Sequence, residues 1–416
     1  MTHQDLISQI PAIDRLAADI ETMAAFTDPE QPFTRRPFTA FFKQGRQWLR
    51  EQMAASGLTV ELDAAGNLIG RCPGQEDLPP ILIGSHTDTV AGGGRFDGVI
   101  GVLAGLEIVR CLDELSILLR HPLEIVDFLA EEPTDFGVST VGSRGMSGNL
   151  TAEMLAQTDG RGVTLAEALL DLGGRPADIA AEARLPGDIA AYLEMHIEQG
   201  PVLHQRAIPL AAVTGIVGIR RFSVVVEGEA NHAGTTPMSL RKDALVAAAR
   251  FVIDAESIIR AEENAVGTVG YLKVVPNMAN VVPGRVELIV EMRSIEPETI
   301  DGIGQELQHR AREIAQARGI AISVSRLTDA APVQADPRLI EITTQACRET
   351  APGALVLPSG AGHDATQIAT IAPVGMIFVP SRGGKSHTPK EWTDVADIAL
   401  GVQALARALL KADVVF

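Results

Sequence analysis

The sequence predicts an α/β fold in which a mixed sheet flanked by helices carries an inserted α+β domain. Residues 81–132 read strand, helix, strand, which is typical of a sheet covered by helices. From residue 222 the order becomes strand, helix, strand, strand, helix, strand, the split βαβ arrangement of ferredoxin-like domains. Residues 338–411 return to helix, strand and helix, which completes the first domain.

Chain length agrees with this division. The 416 residues suffice for two domains at roughly 100–200 residues each. We predict that residues 1–211 and 330–416 form the larger domain and that residues 212–329 form the insertion.

The larger domain is predicted element by element. Residues 4–25 and 39–56 have the apolar spacing of amphipathic helices, and the turn QPFTRRPF separates them. A hairpin with Ala65-Gly66-Asn67 at its tip should follow. The next elements are a strand at 81–90, a helix at 98–115 and a strand at 122–132, and both strands end in polar residues. In α/β sheets, functional residues gather at such strand ends.

The insertion and the C-terminal part follow the same reasoning. The insertion contains strands 222–230, GTVGYLKVV, GRVELIVEMRS and IAISVSRL, with helices at 241–262 and 298–319. The C-terminal part contains helices at 338–350 and 394–411 and the strand VGMIFVPS between them.

Charge and cysteine content exclude several classes of protein. Lys and Arg total 35 against 53 Asp and Glu, which gives a net charge of −18. Nucleic-acid binders and proteins of anionic membrane surfaces need a basic face, and this chain shows none. Three scattered cysteines fit neither a disulfide framework nor a CxxC metal site. The polar N-terminus has no signal-peptide core, so we expect a cytoplasmic protein.

The string Ser85-His86-Thr87-Asp88, at the end of a predicted strand, is the strongest local feature. His86 has the chemistry of a metal ligand, and Asp88 could hold its other ring nitrogen. A core histidine paired with a nearby carboxylate is an equally good interpretation of this string alone.

Acidic residues follow two of the predicted strands. Asp97 comes after GGGRF, where it could bridge two cations or simply cap the next helix. Glu131 and Glu132 end a buried strand, so one could ligate a metal while the other acts as a base. A solvated loop before Pro133 is the alternative for this pair.

Two further histidines complete the candidate set. His196 lies in LEMHIEQGP and His387 lies in the Gly-rich loop GGKSHTP. Taken together, three imidazoles and two or three carboxylates fall at strand ends, which suits a pair of divalent cations such as zinc or manganese. Paired metals favour hydrolysis.

Six strings carry a resemblance to a known family: GSHTDTVAGGGRFDGVIGVLAGLE, AEE, EMHIEQGP, NHAGTTPM, SGAGHDA and KSHTP. They resemble the amidase/hydantoinase–carbamoylase branch of the di-zinc aminoacylase-like metallopeptidases. This branch includes N-carbamoyl-L-amino-acid hydrolases, allantoate amidohydrolases, ureidoglycolate amidohydrolases and β-ureidopropionases. The likeness runs from about residue 33 to the C-terminal helix.

The resemblance implies a di-metal catalytic domain, with the insertion acting as a lid and pairing two subunits into a homodimer. His86 and His196 would hold one ion. Glu132 and His387 would hold the other, and Asp97 would bridge the two. Zn²⁺ is expected first, with Mn²⁺, Co²⁺ or Ni²⁺ as alternatives.

Further roles are also implied by the resemblance. Asp88 would orient His86, and Glu131 would be the general acid and base. His232 would stabilise the oxyanion, reaching across from a partner subunit. The implied substrate contacts are Gln199 for the ureido or amide group, Asn280 and Arg293 for the carboxylate, and Gly362 and His363 in the pocket wall. Without the family, His232, Asn280 and Arg293 would be interpreted as ordinary loop, turn and surface residues.

The implied activity is hydrolysis of a linear amide C–N bond in a small carboxylate-bearing ureide, through a metal-bridging hydroxide. N-carbamoyl-L-amino acids, allantoate and ureidoglycolate are the candidate substrates. A peptidase or N-acyl amino acid deacylase with the same metals is the nearer alternative, and a non-catalytic small-molecule binding protein is the more distant one. After the Glu pair the family has Gly, any residue, Arg and Phe, whereas this chain has Pro133-Thr134-Asp135-Phe136. That departure bears on the substrate more than on the reaction class.

Overall fold

The computed structural model describes residues 10–416, which divide into two compact units. The first unit comprises the described residues up to Gly215 together with Ala335–Phe416, and the second comprises Ile216–Gln334. The sequence predicts the domain boundaries at 211/212 and 329/330, whereas the two units of the structure divide at 215/216 and 334/335. Both boundaries lie later than predicted because strands Ala211–Ile216 and Ala321–Ala330 continue through the predicted positions.

The strands, numbered in chain order, are β1 Thr59–Leu62, β2 Leu68–Cys72, β3 Ile81–His86, β4 Leu123–Phe128, β5 Ala191–Ile197, β6 Ala211–Ile216, β7 Gly218–Glu227, β8 Asn231–His232, β9 Ala265–Val275, β10 Val281–Val282, β11 Arg285–Ser294, β12 Ala321–Ala330, β13 Val333–Gln334, β14 Leu355–Ser359 and β15 Val374–Val379. The helices of the described residues are α1 Ile13–Ala25, α2 Ala40–Ala55, α3 Val99–Glu114, α4 Val141–Met146, α5 Ala152–Leu155, α6 Leu165–Asp171, α7 Ile179–Glu182, α8 Val202–Arg206, α9 Ala244–Arg260, α10 Pro297–Arg318, α11 Pro337–Thr350, α12 Ala365–Ile368 and α13 Val395–Val415.

The first unit is built on a mixed sheet whose strands run in the order β1-β2-β4-β3-β5-β15-β6. The four central strands β4, β3, β5 and β15 are parallel, while β1, β2 and β6 pair antiparallel to their neighbours. Parallel strands end at one edge of a sheet, so the segments that follow these four strands meet there. The predicted mixed α/β architecture is confirmed.

Helices cover the sheet and exclude water from it. Every residue of the four parallel strands is buried, as expected for strands covered on both faces. Helix α3 is buried around nearly its whole circumference, which explains its apolar sequence. Among the described residues, none of the helices combines the length and apolar character needed to cross a bilayer.

The second unit has its own sheet and its own core. Strands β12-β7-β11-β9 form an antiparallel sheet in that order, and α9 and α10 follow β7 and β11 along the chain. Buried residues alternate along β7 and β11. They pack with the apolar faces of α9 and α10 into one hydrophobic cluster.

Three local expectations differ from the structure. The helix predicted at 4–25 begins at Ile13, beyond Pro11, and residues 4–9 lie outside the described part of the chain. Strand β4 ends at Phe128, so Glu131 and Glu132 lie in the segment after it rather than at its end. Helices α4 to α7 have no sequence prediction, because elements of four to seven residues carry too little periodicity to be recognised.

Candidate metal centre

Five predicted ligand residues meet at the carboxyl edge of the parallel strands. His86 is the last residue of β3, and His196 is the penultimate residue of β5. Asp97 precedes α3, Glu132 follows β4, and His387 follows β15. The structure therefore brings together side chains that come from both ends of the polypeptide.

The first ligand group consists of His86, Asp97 and His196, and all three residues are buried. Asp97 Oδ1 lies 3.1 Å from His196 Nε2 and 3.8 Å from His86 Nε2. The Nδ1 atoms of the two rings face the carbonyl oxygens of Asp88 and Ile197, at 3.1 and 2.9 Å. This arrangement leaves both Nε2 atoms directed at Asp97, as in histidines that ligate a metal.

The second ligand group consists of Asp97, Glu132 and His387. His387 Nε2 lies 3.1 Å from Asp97 Oδ2 and 3.1 Å from Glu132 Oε1. Asp97 and Glu132 are buried, whereas the His387 side chain is 47% exposed. Asp97 thus offers one oxygen to each group, and the second group opens to solvent through His387.

The backbone around the two groups adopts conformations that most residues avoid. Gly98 has a φ of 67°, and a Cβ there would overlap the His86 ring, so only glycine fits. Gln199 and His387 both have a φ of 56°, in the left-handed region. Such strain gathers at functional sites, where the surrounding structure enforces it.

Asp88 contacts His86 through its backbone carbonyl rather than through its carboxylate. Its backbone carbonyl faces His86 Nδ1, while its carboxylate oxygen Oδ1 is 3.7 Å away from that atom. The carboxylate instead accepts the backbone N–H groups of Glu131 and Glu132, at 3.2 and 3.1 Å. Burial raises the pKa of Asp88 to about 6. Asp88 therefore links the His86 segment to the segment that carries both glutamates.

Glu131 lies beside the first ligand group without belonging to it. Its Oε2 is 3.6 Å from His86 Nε2, and its side chain is 11% exposed. Burial, together with the negative charge of Glu132, raises the pKa of Glu131 well above its usual value. A raised pKa makes a carboxylate a stronger base, which suits it to proton transfer.

The charges at the centre are those of a cation site. Burial would raise the pKa of Asp97, but hydrogen bonds from His196 and His387 hold it well below its usual value. Burial alone would lower the pKa of His196, yet its hydrogen bond to Asp97 raises it to about 9. Hydrogen bonds to Asp97 and Glu132 raise the pKa of His387 to about 10. The buried carboxylates thus favour protonated histidine rings. A bound divalent cation would supply the same positive charge in place of these protons.

The donor set fits two divalent metal ions. Imidazole nitrogen and carboxylate oxygen are ligands of zinc and of its first-row neighbours, and each group offers three such atoms.

Three predicted substrate contacts lie in the first unit. The Gln199 amide donates to Asp97 Oδ2 at 2.8 Å. His363 is buried, with Nε2 2.7 Å from Ser359 Oγ and its ring centroid 4.5 Å from that of His196. Burial lowers the pKa of His363 well below its usual value. Gly362 is exposed, and a Cβ on it would meet open space.

The other three predicted contacts, His232, Asn280 and Arg293, belong to the second unit. Strands β8 and β10 pair, and the N–H of Ala233 donates to the carbonyl of Asn280 at 2.9 Å, so His232 and Asn280 are neighbours. Arg293 lies on β11 and pairs with Glu291 at 2.8 Å.

Sequence reasoning missed several buried charged residues near the centre, among them Arg35 and Glu391. The Arg35 guanidinium donates to the carbonyl of Thr87, between His86 and Asp88. The Glu391 carboxylate accepts the backbone N–H of Asp97. The strings TRRP and KSHTPKEW contain them, but a charged residue in a loop normally indicates a solvated surface.

The unusual segment after the Glu pair has a local partner. Asp135 forms an ion pair with Arg36 at 2.9 Å, and its side chain is largely exposed. The charge that distinguishes this chain from the family pattern is thus compensated by a residue of the predicted QPFTRRPF turn.

Comparisons with known proteins identify the family to which this chain belongs. The model of peptidase family M20/M25/M40 matches residues 82–411. An N-carbamoyl-L-amino acid amidohydrolase of Geobacillus stearothermophilus is 42% identical over 378 residues, covering 91% of this chain and 92% of the relative. An allantoate amidohydrolase of Bacillus subtilis is 35% identical over 383 residues, covering 91% and 92%. The crystal structure of a hydantoinase/carbamoylase family amidase from Burkholderia multivorans aligns with a TM-score of 0.89 at 33% identity, covering 97% and 98%. The resemblance predicted from the motifs is confirmed, and the chain belongs to the M20/M25/M40 peptidase family, in its hydantoinase/carbamoylase branch.

Proposed function

We propose that this protein is a metal-dependent amidohydrolase that cleaves a linear amide C–N bond in a small ureide bearing a carboxylate. N-carbamoyl-L-amino acids, allantoate and ureidoglycolate are the substrate types. The relatives of the preceding section carry the names of N-carbamoyl-L-amino acid and allantoate amidohydrolases, which supports this substrate class.

The observation that carries the proposal is the sharing of Asp97 by the two ligand groups. Its Oδ1 faces His196 and its Oδ2 faces His387, each at 3.1 Å. A carboxylate with one oxygen in each of two three-residue groups is what a pair of bridged cations requires. Zn²⁺ is the first candidate from the ligand types, and Mn²⁺, Co²⁺ and Ni²⁺ bind the same donors.

The metal ions, when bound, would polarise the scissile carbonyl and make water acidic enough to attack at neutral pH. Glu131 takes the proton from the attacking water and later delivers it to the leaving nitrogen. The position of Glu131 beside His86 and the raised pKa of its carboxyl group support this role. For a carbamoyl substrate the products are the free amine and carbamate, and carbamate decays to ammonia and carbon dioxide.

The residues that the family resemblance links to the substrate are proposed to recognise it. Gln199 would bind the ureido or amide group, and its amide already hydrogen-bonds Asp97. Asn280 and Arg293 would bind the substrate carboxylate, since a guanidinium can meet a carboxylate through two hydrogen bonds. His232 would donate to the developing oxyanion. Gly362 and His363 would line the pocket.

We also propose that the second unit is a ferredoxin-like lid and dimerisation domain. Its strand–helix–strand–strand–helix–strand order and its antiparallel sheet support the ferredoxin-like fold. Strand β9 is an edge strand with exposed apolar side chains at Val266, Tyr271 and Leu272. Such edges pair with other chains, which supports a role in dimerisation. Light scattering should then give the mass of a dimer, and the Val266→Lys variant should give that of a monomer.

One experiment tests the function directly. The purified protein is analysed for metal content and assayed for ammonia release from allantoate, ureidoglycolate and several N-carbamoyl-L-amino acids. Dipeptides and N-acetyl amino acids are assayed in parallel as substrates of a peptidase or deacylase. We expect two ions per chain, ammonia release from at least one ureide, and loss of activity with a chelator.

Two outcomes contradict the proposal. Turnover confined to dipeptides or N-acetyl amino acids would assign the centre to a peptidase or deacylase. Full activity in metal-free protein would remove the metal ions from the mechanism.

A further inference from the structure

Glu391 is a buried carboxylate that belongs to neither ligand group. It follows His387 by four positions and is only 2% exposed. A carboxylate so deeply buried is costly unless hydrogen bonds or cations compensate it, so its partners indicate its role.

Those partners are the segment that carries Asp97. Glu391 Oε1 accepts the backbone N–H of Phe96 at 2.8 Å and that of Asp97 at 3.2 Å. The hydroxyl of Ser386 donates to Asp97 Oδ2 at 2.6 Å and lies 3.3 Å from Glu391 Oε2. Glu391 therefore contacts Asp97 at its backbone and, through Ser386, at its carboxylate.

The glycine-rich segment before Asp97 leaves space for this carboxylate. A Cβ at Gly94 would overlap the Glu391 carboxylate, so a side chain there would displace it. The next residue, Trp392, stacks on the same segment, with the Arg95 guanidinium 4.4 Å from its ring centroid and the Phe96 ring at 5.7 Å. Glu391 and Trp392 thus both contact the segment that leads to Asp97 and restrain it.

We propose that Glu391 is a positioning residue that sets Asp97 for both ligand groups at once. This inference rests on the proposed function, since it assumes that the two groups hold metal. Asp97 can serve both groups only while Oδ1 faces His196 and Oδ2 faces His387. A small rotation of its backbone or carboxylate would misplace both oxygens, and Glu391 restrains each of these movements.

The variants follow from the contacts. Glu391→Ala removes the acceptor and leaves two buried N–H groups unpaired. Glu391→Gln keeps an oxygen that can accept both of them, and its amide can donate to Ser386. Gly94→Ala leaves Glu391 in the sequence but displaces its carboxylate.

The measurement is titration of Zn²⁺ into the metal-free full-length protein by isothermal calorimetry. We expect wild type to bind two ions per chain, and Glu391→Ala to bind both about 10–100-fold more weakly, the usual effect of losing a partner of a metal ligand. Gly94→Ala should weaken binding in the same direction, and Glu391→Gln should stay close to wild type.

Asp413→Ala is the matched control. Asp413 is also a buried carboxylate that accepts two consecutive backbone N–H groups, those of Arg120 and His121, at 3.0 and 2.9 Å. It contacts no member of the two ligand groups. Asp413→Ala should lower thermal stability while leaving Zn²⁺ affinity at the wild-type value.

A second measurement uses tryptophan fluorescence to report on the segment that Trp392 contacts. The chain has two tryptophans, Trp48 and Trp392, so in a Trp48→Phe background the emission reports Trp392 alone. Zn²⁺ should change this emission in the parent protein, and the change should be reduced in Gly94→Ala and Glu391→Ala.

The outcomes separate this inference from the function on which it rests. A wild-type protein that binds none of Zn²⁺, Mn²⁺, Co²⁺ and Ni²⁺ in the same titration would overturn the proposed function. If the wild type binds two ions and either Glu391→Ala or Gly94→Ala binds them with the same affinity, only the role of Glu391 is overturned. Equal weakening in Asp413→Ala would assign the effect to general destabilisation and would overturn that role as well.

Discussion

Glu131 Oε2 lies 3.6 Å from His86 Nε2, so a carboxyl group outside both ligand groups adjoins one of their imidazoles. Glu131 and Glu132 are consecutive, and Asp88 accepts the backbone N–H of each. Glu132 faces His387, whereas Glu131 faces His86. Glu131 and Glu132 therefore face different ligand groups. Their substitutions should have different effects.

The Glu131→Gln variant should lose turnover but keep its metal. Removal of a general acid and base costs about 10²–10⁴-fold in kcat. The glutamine amide cannot serve as a general acid or base, yet it preserves the shape of the side chain beside His86. Steady-state assays on the best ureide, together with elemental analysis of the same preparation, measure both effects.

Glu132→Gln is the counterpart, since it weakens a member of the second ligand group and should lower metal content. If Glu131→Gln kept activity near that of the wild type, Glu131 would be excluded as the general acid and base. Metal loss in both variants would mean that the pair acts as ligands together.

Metal stoichiometry should depend on which group is altered. Asp97→Ala removes an oxygen from each group, so both ions should be lost. His387→Ala alters the second group alone, so one ion should remain at high affinity. Elemental analysis after gel filtration in metal-free buffer gives the count.

His309→Ala serves as the control for histidine removal, because His309 lies on α10 in the second unit, where it pairs with Glu313. It should retain two ions. If Asp97→Ala also retained two ions, Asp97 would not be the shared ligand.

The convergence of the ligand residues follows from features visible in the sequence. His86, Glu132, His196 and His387 were predicted at the ends or turns of strands, where the functional residues of α/β sheets gather. The structure adds that the strands before them are parallel, so that their ends meet at one edge. Strand-like segments such as FSVVVEGEA and GRVELIVEMRS likewise predicted strands of the second unit, and buried residues alternate along β7 and β11 in the structure.

Other parts of the centre depend on tertiary contacts that carry no local signal. Ala130 has a φ of 53°, so the chain turns after β4 and both glutamates can be directed inward. The contact of His86 with the backbone carbonyl of Asp88 could not be predicted, because every residue has a carbonyl. Glu391 is surrounded in sequence by the polar string TPKEWTD, which is typical of an exposed loop.

Arg293→Ala should weaken binding of carboxylate substrates by roughly 1–3 kcal/mol, the value of a hydrogen bond to a charged group. The loss should appear in KM for N-carbamoyl amino acids and should be smaller for the corresponding amides, which lack the negative charge. Steady-state kinetics on both series measure the difference.

Arg285→Ala is the matched control, because Arg285 lies on the same strand β11 and also pairs with a glutamate on that strand, Glu287. It should leave KM unchanged. An unchanged KM in Arg293→Ala would remove this residue from carboxylate recognition.

Asp336→Ala should destabilise the first unit in a manner that depends on pH. Asp336 caps α11 by accepting the backbone N–H of Arg338 at 2.8 Å, and loss of such a cap costs about 1 kcal/mol. The hydrogen bond from the Arg338 side chain holds the pKa of Asp336 below its ordinary value. Since the folded pKa lies below the unfolded one, the stabilisation is complete above the unfolded pKa of about 3.9 and is lost as the pH falls through the folded pKa.

The difference in unfolding free energy between wild type and Asp336→Ala should therefore be constant from pH 8 to pH 5 and shrink below about pH 4. Urea denaturation followed by circular dichroism at each pH measures it. Asp394 precedes α13 but makes no side-chain hydrogen bond to that helix, and its carboxylate pairs with Arg382 instead. The effect of Asp394→Ala should therefore lack the contribution of a helix cap. A difference between wild type and Asp336→Ala that increased on acidification would mean that the cap stabilises through its protonated form.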